Sequence, residues 1–293
     1  MVERSGHPWQ GPEWDSLLVP LDGSASAERI LPTLRALSRS MSPRILLARV
    51  APPGADFQLA RVYLDQVAAF LATDGIEADP VAVSGPIPET LIALATEQKI
   101  SLIAMTTHGR LTSNMLPFGP VAEQIIRTSP VPVLAVPALA RDRIDGVSIR
   151  TILVVTDGSE AADSIVPVAA EFSRRIGTEV LLLQVTPPED TGRGEVEVRA
   201  DAEDHLDRLL VSFENSRVPT DCLIRRGDPT QEILRVLSEK AAGLLALNPR
   251  SGGSDVAAGS VGWEILLSAD VPLLLPPVRV PQLAGAGRRR LPR

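Results

Sequence analysis

The stretches LLVPLDGS (Leu17–Ser24) and ILVVTDGS (Ile152–Ser159) decide how this chain is read, because they say nearly the same thing twice. In each, an apolar run ends in Asp-Gly-Ser and leads into a helical pattern, the mark of a strand turning into a helix. Later landmarks recur in the same order. Gly85-Pro86 is matched by Gly227-Asp228-Pro229, Gly119-Pro120-Val121 by Gly259-Ser260-Val261, and Pro132-Val133-Leu134 by Pro272-Leu273-Leu274. The offset drifts by only a few residues, as happens when loops change length and elements do not. A repeat this long is a whole domain rather than a solenoid unit.

The chain has 293 residues, room for two domains of ordinary size. Hydrophobic residues make up 44% and aromatics only 3%, so both cores must be aliphatic. Stacking platforms for single-stranded nucleic acid are not expected. The net charge is −7 although Arg288, Arg289, Arg290 and Arg293 crowd the C-terminus, so the rest of the chain is more acidic still. That argues against nucleic acid as a partner. Cys222 is the single cysteine, which excludes an intrachain disulfide and a cysteine metal cluster. The N-terminal stretch MVERSGHPWQGPEWD has no apolar signal-peptide core. No apolar run approaches the ~20 residues of a membrane span. The expectation is a cytoplasmic, reducing setting with no membrane partner.

Strand-like runs fall near Ser16–Leu21, Arg44–Val50, Ile76–Val83, Ser101–Thr106 and Pro132–Val136, and again near Thr151–Val155, Glu179–Val185, Val218–Ile224, Gly243–Leu247 and Val271–Leu275. Helical spacing joins Leu31, Leu34, Leu37 and Met41, then Ala60, Leu64, Val67 and Leu71, and in the second copy Ala202, Leu206, Leu209 and Phe213. Shorter helices are predicted over Pro88–Gln98 and Pro120–Thr128. The strands are continuous aliphatic runs, so both faces of each are buried. That means a parallel sheet with helices on either side. Ala138–Ser148 reads as a linker. The stretch from Val278 to Arg293 reads as a disordered, solvated tail. Each copy ends in a short apolar strand that would leave an unpaired edge, so the copies are expected to pair these edges antiparallel as a pseudo-dimer within one chain.

In open α/β sheets, ligands sit beyond the carboxyl ends of the strands where strand order reverses. Two loops of the first copy should meet there. One carries Asp22. The other runs from Thr106-Thr107-His108-Gly109-Arg110 to Phe118-Gly119-Pro120-Val121 and enters a helix, whose N-terminus offers N–H groups to phosphate. The competing reading makes Asp22 and Asp157 helix N-caps or turn-formers. Elsewhere the sequence offers little chemistry. His7, His108 and His205 lack metal-ligand spacing. Cys222, in a predicted strand, reads as a buried inert thiol. Trp263 reads as packing.

As a set, these motifs resemble the universal stress protein family in its tandem-domain form. They are the Asp-Gly-Ser after strand one, the glycine–proline segment before helix three, and a loop of the form G-x2-G-x9-G-(S/T) before a Pro-Val-Leu last strand. The resemblance covers Trp14–Pro137 and Ile149–Pro277. It implies two Rossmann-like domains of the adenine nucleotide alpha hydrolase-like kind, each a five-stranded parallel sheet flanked by helices. It also implies an adenine nucleotide, ATP with Mg, as ligand. Carried over by position, Pro20, Leu21 and Asp22 would hold adenosine and Val50 would offer backbone to adenine. Met105, His108, Gly109 and Arg110 would flank ribose and phosphates, with Gly119, Pro120 and Val121 beneath the phosphates.

Both copies depart from the family pattern. Thr106 replaces the first loop glycine, and Pro120 replaces the terminal Ser/Thr, removing an N–H and a hydroxyl. The second copy keeps Asp157, Arg250, Gly259 and Ser260. It has Ala246 and Pro249 in place of the first two glycines, and proline cannot take positive φ. Weak or conditional nucleotide binding, preferentially in the first copy, is therefore expected. The rival reading is a nucleotide-free scaffold for an unknown protein partner. A weak ATPase ranks last, and no catalytic residue is assigned. The sequence leaves open whether two chains form a homodimer.

Overall fold

The computed structural model describes residues 14–51, 57–108, 119–137, 149–186, 194–250 and 261–278. The first copy builds β1 (Ser16–Pro20), α1 (Ala25–Glu28), α2 (Leu31–Met41), β2 (Arg44–Ala51), α3 (Phe57–Ala72), β3 (Ala78–Ser84), α4 (Ile87–Glu97), β4 (Leu102–Thr106), α5 (Pro120–Thr128) and β5 (Val133–Val136). The second repeats the series as β6 (Thr151–Thr156), α6 (Glu160–Asp163), α7 (Val166–Ile176), β7 (Glu179–Thr186), α8 (Glu195–Asn215), β8 (Thr220–Arg226), α9 (Pro229–Glu239), β9 (Leu244–Ala246), α10 (Val261–Ser268) and β10 (Leu273–Leu275). The four-residue helices α1 and α6 were not visible in the apolar spacing, being too short to show a period.

One ten-stranded sheet runs through the molecule in the order β3-β2-β1-β4-β5-β10-β9-β6-β7-β8. Each half is wholly parallel and doubly wound. The halves join antiparallel, with Leu273 opposite Ala135, Leu274 opposite Leu134 and Leu275 opposite Val133. Leu134 and Leu274 hold the same place in the two copies, so an approximate two-fold axis passes between them. The short apolar edges expected from the sequence thus close on each other, and only β3 and β8 remain at the outside of the sheet.

The strands are buried on both faces, and each face carries one aliphatic core that continues through both halves. On one face α2 packs against α7, and Trp14 meets Phe172 of the other half edge-on, with ring centroids 5.4 Å apart. On the other, the Arg127 guanidinium of α5 lies 5.3 Å from the ring centre of the buried Trp263 on α10. Trp263 is a packing residue at the seam. Cys222 is a correction. It lies on the outer strand β8 and is exposed, with its thiol only partly covered, because β8 has no neighbour on its far side. Val278, read from the sequence as the first residue of the tail, is held in place: its N–H donates to Ser129 O at 2.8 Å. The linker and residues 279–293 lie outside the described residues. Among the described residues no helix is long and apolar enough to cross a membrane.

Candidate functional site

Both Asp-Gly-Ser turns are built alike. Asp22 Oδ1 accepts from the Ser24 N–H at 2.9 Å, and Asp157 Oδ1 accepts from the Ser159 N–H at 2.9 Å. The glycine between takes positive φ, +82° at Gly23 and +87° at Gly158. The serine hydroxyl then accepts from the third residue on, Ala27 or Ala162, and caps the short helix. The caps are therefore Ser24 and Ser159, and the aspartates form the turn. The copies differ in what surrounds this turn: Asp22 is half-buried and Asp157 exposed.

In the first half the turn opens onto a cavity of about 250 Å³ at the carboxyl ends of the strands. Pro20, Leu21, Asp22, Val50, Met105 and His108 line it, together with Gly119, Pro120 and Val121 at the start of α5. All the described residues singled out in the first copy thus meet at one place. Gly109 and Arg110 lie outside the described residues. The sequence reading missed Arg49 at the end of β2, whose guanidinium sits 5.0 Å from the Tyr63 ring centre, and the apolar wall of Ile87 and Leu91 from α4. The signal for α4 was the Gly85-Pro86 turn, which aims that helix over the crevice.

Beside the cavity, the Tyr63 hydroxyl donates to Glu28 Oε1 at 2.9 Å. Burial pushes the Tyr63 phenol well above its ordinary range, helped by its bond to Glu28 and the charges of Glu28 and Asp22. At the start of α5, the Gly119 N–H donates to Thr107 O at 2.8 Å and is engaged within the protein. Pro120 has no N–H, and no side chain caps α5. Val121 and Ala122 are left as the unpaired first-turn donors of this helix. His108 Nδ1 is 2.9 Å from Thr107 Oγ1, while Thr106 Oγ1 donates to His108 O at 2.7 Å.

The second half uses the corresponding space differently. Asn248, which takes the place of Thr106 in the strand register, reaches across the crevice and donates to Ala161 O at 2.7 Å and Ser164 Oγ at 3.0 Å. Its Oδ1 accepts from the Arg250 N–H at 3.0 Å. Arg250 donates from Nη2 to Pro276 O at 3.2 Å, and burial lowers its pKa from the ordinary value. Pro249 packs onto the first turn of α10, where a Cβ added to Gly262 would lie 2.6 Å from Pro249 Cα. The first half has Ala122 at that position, on the cavity wall. Behind the turn, His205 bridges Asp163 Oδ2 and Gln184 Oε1, each at 2.9 Å, and Thr156 donates to Asp163 Oδ1 at 2.6 Å. Arg250 is engaged by the protein's own backbone, and Asp157 is exposed where Asp22 is half-buried. Gly259 and Ser260 lie outside the described residues. Asn248 and Gly262 carry this difference; the Asn-Pro step and the glycine inside a short helix were its only traces in the sequence.

The model of the universal stress protein family matches residues 13–137 and 148–277. The chain belongs to the universal stress protein family. Among solved structures, a universal stress protein from Archaeoglobus fulgidus DSM 4304 matches with a TM-score of 0.70 at 20% identity, covering 91% of this chain and 99% of that one. A structure assigned to the same family, from Pseudomonas aeruginosa UCBPP-PA14, gives 0.65 at 17% identity, covering 89% of this chain and 92% of that one. At these identities the likeness speaks for the fold. No curated protein sequence gives a significant match.

Proposed function

We propose that this tandem universal stress protein binds an adenine nucleotide weakly in its first crevice and that the second crevice is closed to ligand. The observation that carries the reading is the shared cavity of about 250 Å³ that brings Asp22, Val50, Met105, His108 and the start of α5 together. It falls a little below the usual range of ligand pockets, about 300–1,000 Å³. That size suits a nucleoside with its phosphates directed toward solvent. Adenine would lie between the apolar wall of Met105 and Leu91 and the backbone at Val50, with Asp22 beside the ribose. The Val121 and Ala122 N–H groups would meet the first phosphate.

Among the described residues, no cluster of His, Cys, Asp or Glu is placed to hold a metal ion. Mg would arrive with the phosphates of ATP. We read the protein as a cytoplasmic binding module rather than an enzyme, its ligand state modulating a protein partner. Calorimetric titration with Mg-ATP and with adenosine, and release of co-purified nucleotide by denaturation, test it. Absence of both bound nucleotide and titratable sites would favour the nucleotide-free scaffold.

A further inference from the structure

The largest described opening lies at the other end of the strands, between the halves. It is an open cleft of about 1010 Å³ at the amino ends of β6, β7 and β8, with α2 of the first half as its facing wall. Four arginines line it, Arg39 on α2 and Arg150, Arg174 and Arg217 from the second half, against the single carboxylate of Glu179. Arg174 is paired with Glu171. Arg39, Arg150 and Arg217 are exposed and take part in no ion pair among the described residues.

The corresponding hollow of the first half is neutral. Its cavity of about 540 Å³ is lined by Arg35, Arg39 and Arg44 against Asp74, Glu77 and Asp79. Arg35 pairs with Asp74 at 2.6 Å and Arg44 with Asp79 at 3.1 Å. Under the repeat, Asp74-Gly75-Ile76-Glu77 becomes Ser216-Arg217-Val218-Pro219. Two acids are gone and one arginine is gained. The turn needs left-handed backbone in both halves, with Gly75 at φ +75° and Arg217 at +56°. The second half keeps a large cation where glycine would be unstrained. Ser216, in place of Asp74, leaves a buried hydroxyl with no hydrogen-bond partner at the same wall.

We infer that this cleft binds a small multivalent anion, a metabolite carrying several phosphates. On a chain of net charge −7, a local excess of unpaired guanidiniums is not general basicity. The planar fork of arginine matches phosphate oxygens in pairs. Three such forks mounted on different elements suit charge spread over several groups, and Arg39 makes the ligand a bridge between the halves. The site is separate from the nucleotide crevice and does not depend on it.

The test is calorimetric titration of the full chain with inorganic tripolyphosphate at low ionic strength. We expect binding that weakens steeply with added salt, with inorganic phosphate and citrate each at least about tenfold weaker. Arg217→Gly writes in the first half's residue and relieves the strained turn, so a folding defect is not expected; it should lower affinity about tenfold or more, as should Arg39→Ala from the opposite wall. The triple change S216D/R217G/P219E should abolish binding. Undetectable tripolyphosphate binding, unchanged affinity in Arg217→Gly and Arg39→Ala, or tighter binding of citrate would each overturn the inference.

Discussion

Asn248 Nδ2 donates to Ala161 O over 2.7 Å, so in the second half α6 and the segment after β9 are tied to each other. In the first half Thr106 stands at that place and lines a cavity. Thr106 bonds within its own loop, to His108 O, whereas Asn248 bonds across the crevice. Asn248→Ala removes donors from buried partners and should lower stability by about 1–3 kcal/mol, read as a fall of several degrees in Tm.

Gly262 gives a prediction whose sign is unusual. A glycine inside an exposed helix ordinarily gains about 1 kcal/mol on replacement by alanine. Here the new Cβ would lie 2.6 Å from Pro249 Cα, which is backbone and cannot swing away. Gly262→Ala should therefore destabilise, by about 1–3 kcal/mol as overpacking does. A stability gain in thermal or urea unfolding would mean that Pro249 is not seated on α10.

The two aspartates separate fold from function. Each accepts the same serine N–H at 2.9 Å, so Asp22→Ala and Asp157→Ala should lose similar, small amounts of stability, about 1 kcal/mol. Only Asp22→Ala should weaken Mg-ATP in calorimetry. If Asp157→Ala weakens binding and Asp22→Ala does not, the assignment of halves is reversed.

Pro120 should limit affinity for phosphate. The Gly119 N–H is taken by Thr107 O, and Pro120 offers none, so α5 presents only Val121 and Ala122. Pro120→Ser adds an N–H and a hydroxyl at a helix N-terminus. ATP should tighten by about tenfold or more, and adenosine, lacking phosphate, should not change. Equal gains for both would point to a reshaped loop. No gain for either would favour the scaffold.

Cys222 provides a pH dependence. Partial burial of the thiol, with the charges of Asp207 and Asp221, raises its pKa above the ordinary thiol value. A raised pKa means less thiolate at a given pH, so reaction with iodoacetamide should set in at higher pH than for a small-molecule thiol. Asp207→Asn and Asp221→Asn remove negative charge and should each move the onset back down. An onset at the ordinary thiol pH in the unsubstituted protein would contradict this.

How far the sequence reached differs between elements. The ten strands were legible within about two residues because buried parallel strands are continuous aliphatic runs, and the repeat gave each one a second reading. The β5–β10 pairing was legible because two short apolar edges, Pro132–Val136 and Val271–Leu275, had no other partner. Burial at an edge was not: Cys222 sits in a strand, but only strand order says that β8 has no neighbour on its far side.

The amino-acid sequence by itself determined the two doubly wound halves, the family, and the residues gathered around Asp22. These follow from local rules of period, turn chemistry and chain order. The tertiary structure alone decided which side chains bond across the second crevice and where unpaired charge collects. Asn248 reaches Ala161, Pro249 rests on Gly262, and Arg39 faces Arg217 across a cleft between residues distant along the chain. Such contacts depend on side-chain direction and on the packing of the halves. A linear spacing carries no trace of either, because the energy of a hydrogen bond or an ion pair depends on separation in space.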